Sequence, residues 1–229
     1  MDVPRLEKLL GIEIYATSSA GIGGTIRRHT EDFIVEEMLI DGSKAEINQA
    51  KETLKTRALG SSDHRNKYLL CVLVKRNWDT LSAVKAVADQ LNIDPRRIQI
   101  GGMKDAKAVT AQHITVEGAS PEEVKKVNIK DLELRAVGYF RDSLSSYFLF
   151  GNSFRIIIRA VNYRESVIEK RVECTRENIK SIGGIPNFFG HQRFGTARPI
   201  THLVGKALVK DDLERSVMLF LAKASVSES

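Results

Sequence analysis

The chain has 229 residues, of which 42% are hydrophobic and 28% are charged. This composition excludes a disordered or fibrous protein and is typical of a globular protein with a sizeable core. The 35 Lys and Arg exceed the 29 Asp and Glu by six, which favours a polyanionic partner such as nucleic acid, although many basic proteins bind none.

The N-terminal part predicts little regular structure before the first strands. Leu6–Leu10 has the spacing of one helical turn, and the glycine-rich stretch Gly21–Gly24 breaks the chain. The pattern of Thr25–Glu37 predicts two short strands around a bend. Residues 41–67 carry many charges and small polar groups, so we predict a surface excursion that contributes little to the core.

The middle of the chain alternates between strand and helix patterns. Tyr68–Val74 is a continuous apolar run, typical of a central strand buried on both faces. Asp79 begins a helix with apolar residues at helical spacing, and Pro95 ends that helix. Ser120–Glu123 has the pattern of a helical capping box. Further strands are predicted over 97–100, 109–116 and 132–138.

The last third predicts one strand and three helices. Phe154–Val161 reads as the strand, and apolar spacing predicts a helix that ends at Gly183–Gly184. Two further helices are predicted over 200–208 and 213–224.

The turn at Gly101–Gly102 is the most unusual feature of the middle part. The two glycines free the backbone to turn sharply after a strand, and Asp105 follows directly, with Lys104 and Lys107 close by. A carboxylate beside cations at a tight turn is one way to present a reactive side chain. The alternative is an ordinary glycine hairpin whose Lys-Asp pair is solvated.

A second unusual segment is Pro186–Gly195, in which Phe188, Phe189 and Phe194 lie among Gly, Asn, Gln and Arg. Rings outside a periodic element commonly plug into a core. The alternative is a surface on which a base stacks, since such stacking contributes about 1–3 kcal/mol per base.

Several site types and locations have no support in the sequence. The five histidines form no zinc motif, and P-loop, G-x-G-x-x-G and G-x-S-x-G patterns are absent. The two cysteines, Cys71 and Cys174, lack metal spacing and indicate a reducing compartment. With no signal-peptide pattern and no apolar stretch that could cross a bilayer, we expect a cytoplasmic protein without a membrane partner.

Four stretches together resemble one family. Gly102–Gln112 is similar to the G-x-K-D-x-x-A-x-T-x-Q signature of the TruD family of tRNA pseudouridine synthases, and Asn187–Gly195 is similar to its N-[FY]-F-G-x-Q-R-F-G motif. Arg27–Glu36 resembles the family's opening motif, a basic residue followed by E-D-F-x-V-x-E. Gly151–Phe154 resembles a G-N-x-F step between the others. All four occur in the family's order, which identifies the chain as an archaeal-like member.

The resemblance implies roles for particular residues. Asp105 matches the family's catalytic aspartate, and Arg27 matches the basic residue that pairs with it. Phe189 matches the aromatic residue that packs on the flipped base, and Asn187 matches a residue that orders the active-site loop. Four further residues in the same motifs are predicted to contact the substrate: Phe33, Lys104, Gln112 and Arg193.

The resemblance also implies the fold, the substrate and the domain organisation. We expect an α+β fold, with a mixed, mostly antiparallel sheet, flanking helices and a central cleft. The implied reaction converts uridine 13 in the D arm of tRNA to pseudouridine, without a metal or redox cofactor because substrate and product are isomers. The alternative is an RNA-binding fragment that cannot turn over. We expect residues 1–210 to be the catalytic domain and 211–229 to begin a truncated inserted module or tail, because family members continue further. The sequence does not determine the oligomeric state.

Overall fold

A computed structural model describes residues 3–48, 68–195 and 198–222. Its contacts divide the chain into two compact units. We call residues 24–161 the sheet unit, and residues 1–23 with 162–229 the helical unit. The predicted boundary at residue 210 falls inside the helical unit and stays a prediction.

The sheet unit is built on a six-stranded mixed sheet. The strands are β1 Phe33–Leu39, β2 Tyr68–Arg76, β3 Ile98–Ile100, β4 Val109–Glu117, β5 Leu132–Phe140 and β6 Leu149–Ile156. Five of them lie side by side in the order β5-β2-β4-β1-β6, and β3 pairs with β4 outside this order. Strand β1 runs parallel to β4, and the other four ladders, including the short pairing of β3 with β4, are antiparallel. This confirms the predicted mixed, mostly antiparallel sheet.

Strand β2 is buried on both faces, as its apolar run predicts. One face packs on helix α2, Thr80–Leu91, through a cluster that includes Leu73 and Val87. The Asp79 carboxylate caps this helix by accepting hydrogen bonds from two backbone N–H groups, each at 3.0 Å. A second short helix, α3 at Pro121–Val124, begins with the predicted capping box.

The other face of β2 packs against a segment that the sequence assigns to the surface. Ala45 and Ile47 are buried in a cluster with Val72 and Val74. The prediction that residues 41–67 contribute little to the core is therefore wrong for these two positions, because their apolar side chains pack beside β2. The rest of that prediction concerns residues 49–67, which lie outside the described residues.

Two strand boundaries near the candidate site differ from the prediction. Thr25–Glu37 contains the beginning of one strand rather than two strands, because β1 begins only at Phe33, after a short helical turn at Thr30–Asp32. The predicted strand at Phe154–Val161 begins earlier, at Leu149, and ends at Ile156. After that point Ile157 donates its N–H to the Asp32 carbonyl, and Ala160 has a φ of 54°, so the regular ladder ends.

The helical unit contains four helices in its described part. They are α1 Arg5–Leu9, α4 Glu165–Ser181, α5 Thr201–Val209 and α6 Leu213–Ala222, close to the predicted positions. Helices α5 and α6 pack on each other, and Arg198 donates to the Phe220 carbonyl at 2.7 Å. None of the helices within residues 3–48, 68–195 and 198–222 is long and apolar enough to cross a membrane.

Candidate active site

Asp105 and Arg27 form a direct ion pair in the sheet unit. Arg27 Nη2 lies 2.5 Å from Asp105 Oδ1, and each side chain is about 35% exposed. The guanidinium carbon of Arg27 also lies 3.9 Å from the ring centroid of Phe33, which is buried. A cation over an aromatic face is attracted by the ring's quadrupole, so Phe33 gives the arginine a second contact besides its carboxylate partner. The pair combines a fixed geometry with access from solvent.

The loop that carries Arg27 is held by a second ion pair. Asp32, which is fully buried, accepts from Arg159 Nε at 2.7 and 2.9 Å and from the His29 N–H at 2.9 Å. Hydrogen bonds from Arg159 lower the pKa of Asp32 to about 2, against the opposing effect of burial. Thr25 and Arg159 exchange two backbone hydrogen bonds in the same region.

Arg27 itself has a φ of 59°. Residues other than glycine adopt this left-handed conformation only when their surroundings impose it. The Asp32–Arg159 pair and the Thr25–Arg159 bridge are the contacts that hold the loop in this form.

The backbone of the Asp105 turn is held by buried side chains of neighbouring elements. Lys75, at the end of β2, donates to the carbonyl of Asp105 at 2.6 Å. The Thr80 hydroxyl accepts from the Lys104 N–H at 3.0 Å and lies 3.2 Å from the Lys104 carbonyl. Gln112 Nε2, on β4, donates to the carbonyl of Gly102 at 3.1 Å. Three separate elements thus determine the path of the turn.

The glycine that begins the turn is required by close packing. A Cβ atom at Gly101 would lie 2.5 Å from Cδ2 of Leu149, well inside van der Waals contact. The absence of a side chain lets β6 approach the turn.

The side chain of Lys104 points into the protein rather than toward solvent. Its Nζ lies 2.7 Å from Oε2 of Glu37, and both side chains are almost completely buried. His113 donates its backbone N–H to Oε1 of Glu37 at 3.0 Å, and its Nδ1 lies 3.3 Å from the same atom. Burial alone would raise the pKa of Glu37, but the hydrogen bonds from His113 and Lys104 outweigh it and hold the pKa below its usual value. Glu37 is therefore an ionised partner for Lys104.

The predicted aromatic segment lies in the helical unit. Phe189 is 65% exposed, and its ring makes an edge-to-face contact with Phe194 at 6.1 Å between centroids. The guanidinium carbon of Arg193 lies 6.0 Å from the centroid of Phe189. Asn187 is also exposed. The sequence left open whether these rings fill a core or form a surface for a base. Within its own unit, the Phe189 ring is exposed and does not fill a core.

The eight predicted site residues therefore fall into two groups. The sheet unit brings together Arg27, Phe33, Lys104, Asp105 and Gln112. The helical unit contains Asn187, Phe189 and Arg193. Of the first group, Phe33 and Gln112 are buried and the Lys104 side chain is 4% exposed.

Three residues of the site were missed by the sequence. Glu37, Lys75 and Asp32 are buried charges with partners at the candidate site. Two of them had a usable signal, because Asp32 and Glu37 are the aspartate and the last glutamate of the E-D-F-x-V-x-E pattern, whereas Lys75 lies in none of the four motifs. The residues that the structure describes contain no cluster of three or more His, Cys, Asp or Glu side chains that could hold a metal ion.

The same chain matches proteins of one kind in both sequence and structure. The family model for tRNA pseudouridine synthase D (TruD) matches residues 9–229. A probable tRNA pseudouridine synthase D from Methanosarcina barkeri is 39% identical over 223 residues, which cover 97% of this chain and 47% of the relative. Another from Thermococcus onnurineus is 42% identical over 207 residues, which cover 90% and 44% respectively.

A solved structure agrees with these relatives. The crystal structure described as a TruD protein from Methanosarcina mazei has a TM-score of 0.78 and 37% identity to this chain. The match covers 97% of this chain and 46% of that one. The chain thus spans about half the length of the relatives that it matches.

Proposed function

This chain belongs to the TruD family of tRNA pseudouridine synthases, and we propose that it supplies the Asp105-bearing part of an enzyme that isomerises uridine in tRNA. The observation that carries this proposal is the ion pair between Arg27 and Asp105, at 2.5 Å and partly open to solvent. A carboxylate that must act as a nucleophile or base needs to be ionised and accessible. A guanidinium partner favours the ionised form, and 35% exposure leaves room for a substrate.

The reaction breaks the bond from C1′ of the ribose to N1 of uracil and forms a bond from C1′ to C5. The C5 proton is lost to solvent, and N1 gains a proton, so the product is an isomer of the substrate. Asp105 either attacks C1′ or removes a proton from C2′. Arg27 holds the carboxylate in place through a planar guanidinium that is itself fixed on Phe33.

The buried residues of the sheet unit support a positioning role. We propose that Phe33, Lys104 and Gln112 orient Arg27 and the Asp105 turn, because each contacts a protein group at the site and is shielded from solvent. The sequence assigned them to substrate contact. Their burial favours an indirect effect on the same chemistry.

The exposed residues of the helical unit fit substrate contact better. A uridine within a folded RNA must leave its stack to react, which costs a few kcal/mol. Phe189 offers an exposed ring on which a base can stack, and Arg193 adds a cation near that ring. Asn187 lies two residues before Phe189. The role that the family resemblance gives it is to order this segment. The excess of Lys and Arg in the chain is suited to phosphate contacts.

The finer proposal concerns which uridine reacts. We propose uridine 13 of the D arm of tRNA as the target. The competing function is RNA binding without turnover, and the excess of Lys and Arg, which suits phosphate contacts whether or not the RNA reacts, is the observation that favours it.

The test measures release of tritium from tRNA that carries tritium at C5 of uridine. We expect release by the parent protein, loss of at least about 10³-fold in Asp105→Asn, as is seen when a nucleophile or its base is removed, and no change in Asp142→Asn. Asp142 is an exposed aspartate in the same unit and therefore a matched control. Salt-dependent tRNA binding should be equal in all three proteins.

Three outcomes separate the proposals. Release that disappears when uridine 13 of the tRNA is replaced by cytidine supports the D-arm target. Binding of tRNA without release by the parent supports the binding function. Equal release by the parent and Asp105→Asn contradicts the role of Asp105.

A further inference from the structure

Lys75 is a buried charge at the candidate site that neither the sequence motifs nor the proposed chemistry uses. It is the largest of the fully buried side chains in the described part of the chain. It lies at the end of β2, on the face that packs on α2, where Leu73 precedes it. Its neighbour Arg76 is exposed, so the strand places one cation inside and the next outside.

The ammonium group of Lys75 contacts backbone carbonyls from two separate segments. It donates to the Trp78 carbonyl at 2.7 Å, to the Asp105 carbonyl at 2.6 Å and, more weakly, to the Lys104 carbonyl at 3.4 Å. Among the described residues, the hydrogen bonds of this ammonium group all go to carbonyl oxygens. The three N–H donors of one side chain thus join the start of α2 to the residue proposed to react.

Burial of the Lys75 ammonium group opposes folding unless hydrogen bonds or opposite charges compensate it. Transfer of an unpaired charge into a protein interior is unfavourable, and an apolar side chain of the same length would avoid that penalty. Burial accordingly lowers the pKa of Lys75 to about 8, and the positive charge of Lys104 acts in the same direction. The negative charges of Asp105 and Asp79 oppose this shift.

We propose that Lys75 is a positioning residue that fixes Asp105 through its backbone carbonyl and holds the carboxylate in register with Arg27. This inference rests on the proposed function of Asp105. Thr80 and Gln112 bind the backbone of Lys104 and Gly102, whereas Lys75 binds the backbone carbonyl of Asp105, whose carboxylate pairs with Arg27. Removal of its ammonium would leave the carbonyls of Trp78 and Asp105 without this donor.

The test compares the parent with Lys75→Met and with Lys85→Met, in which the same change is made at an exposed position of α2. The first readout is the carboxyl ¹³C resonance of Asp105 in aspartate-labelled protein, identified by its absence in Asp105→Asn. The second is kcat and KM for tritium release from labelled tRNA.

In Lys75→Met we expect the Asp105 resonance to shift or broaden and kcat to fall at least tenfold, with KM within twofold of the parent. Lys85→Met should match the parent in both. In the parent, the Lys75 ammonium nitrogen should show a scalar coupling to the carbonyl carbon of Asp105 across their 2.6 Å hydrogen bond, and Lys75→Met should lack that coupling.

A folded Lys75→Met whose Asp105 resonance and kcat equal those of the parent would overturn the proposal. If Lys75→Met does not fold, the parent decides, and absence of a scalar coupling between the Lys75 ammonium nitrogen and the Asp105 carbonyl carbon overturns the proposal. If the parent itself releases no tritium, the proposed function fails for this chain, but the resonance still tests the role of Lys75.

Discussion

Asp105 and Phe189 are both predicted site residues, but buried side chains of three elements hold the turn that carries Asp105, whereas Phe189 lies 65% exposed in its own unit. Preorganised geometry of the first kind is suited to the chemical step, because a reacting group must be held within a fraction of an ångström. An exposed ring of the second kind is suited to a surface that a partner covers. Hydrogen bonds with buried side chains therefore hold the backbone of the turn that carries the residue proposed for chemistry, whereas the ring proposed for base contact is open to solvent within its own unit.

The largest expected contrast is between the two phenylalanines. Phe33→Ala should lower the free energy of unfolding by about 3–5 kcal/mol, because it removes a buried ring and leaves a cavity. Phe189→Ala should change it by no more than about 0.5 kcal/mol, because that ring is exposed. Urea unfolding followed by far-UV circular dichroism measures both changes, because this signal reports on the strands of the sheet unit and on the helices of the helical unit. Equal losses of stability, or a large loss in Phe189→Ala, would contradict the distinction between a buried Phe33 and an exposed Phe189.

A somewhat smaller effect is expected when the buried ion pair is broken. Glu37→Gln should lower the free energy of unfolding by about 3 kcal/mol, because Lys104 would keep its charge in a buried site without a counter-ion. Glu36→Gln is the matched control, since the adjacent carboxylate pairs with Lys44 at a partly exposed position, and its loss should be about 1 kcal/mol or less. Urea denaturation at pH 7 compares the two. A Glu37→Gln protein as stable as Glu36→Gln would show that the pair does not anchor the turn.

The smallest and most local contrast uses the two cysteines, one in each unit. Burial raises the pKa of the Cys71 thiol to about 12, and Cys174 is exposed on α4. At pH 8 a disulfide reagent should therefore modify one thiol per chain rapidly and the second only as the sheet unit unfolds. Cys174→Ser should abolish the rapid phase. Rapid modification of both thiols in the folded protein would mean that β2 opens easily, contrary to the anchoring described above.

The positions of most helices and strands, and the motifs of the candidate site, can be predicted from the amino-acid sequence. Apolar spacing located β2, α2 and α4, and the motif around Asp105 indicated a turn that the structure places between β3 and β4. These features depend on neighbours a few positions apart, which local periodicity and glycine placement encode directly. Both ends of β6 were predicted wrongly, because they depend on residues that are distant in the chain: Leu149 pairs with Leu39 at the start, and Ile157 donates its N–H to the Asp32 carbonyl after the end.

Only the tertiary structure decided which charges meet. The parallel register of β1 and β4 brings Glu37 to His113 and Lys104, and a bond across 127 positions joins Arg159 to Asp32. No spacing rule reveals that Lys104 faces inward while Asp105, the next residue, faces Arg27. The physical reason is that a charge is buried only where partners from other strands compensate it, and those partners are assembled by the fold.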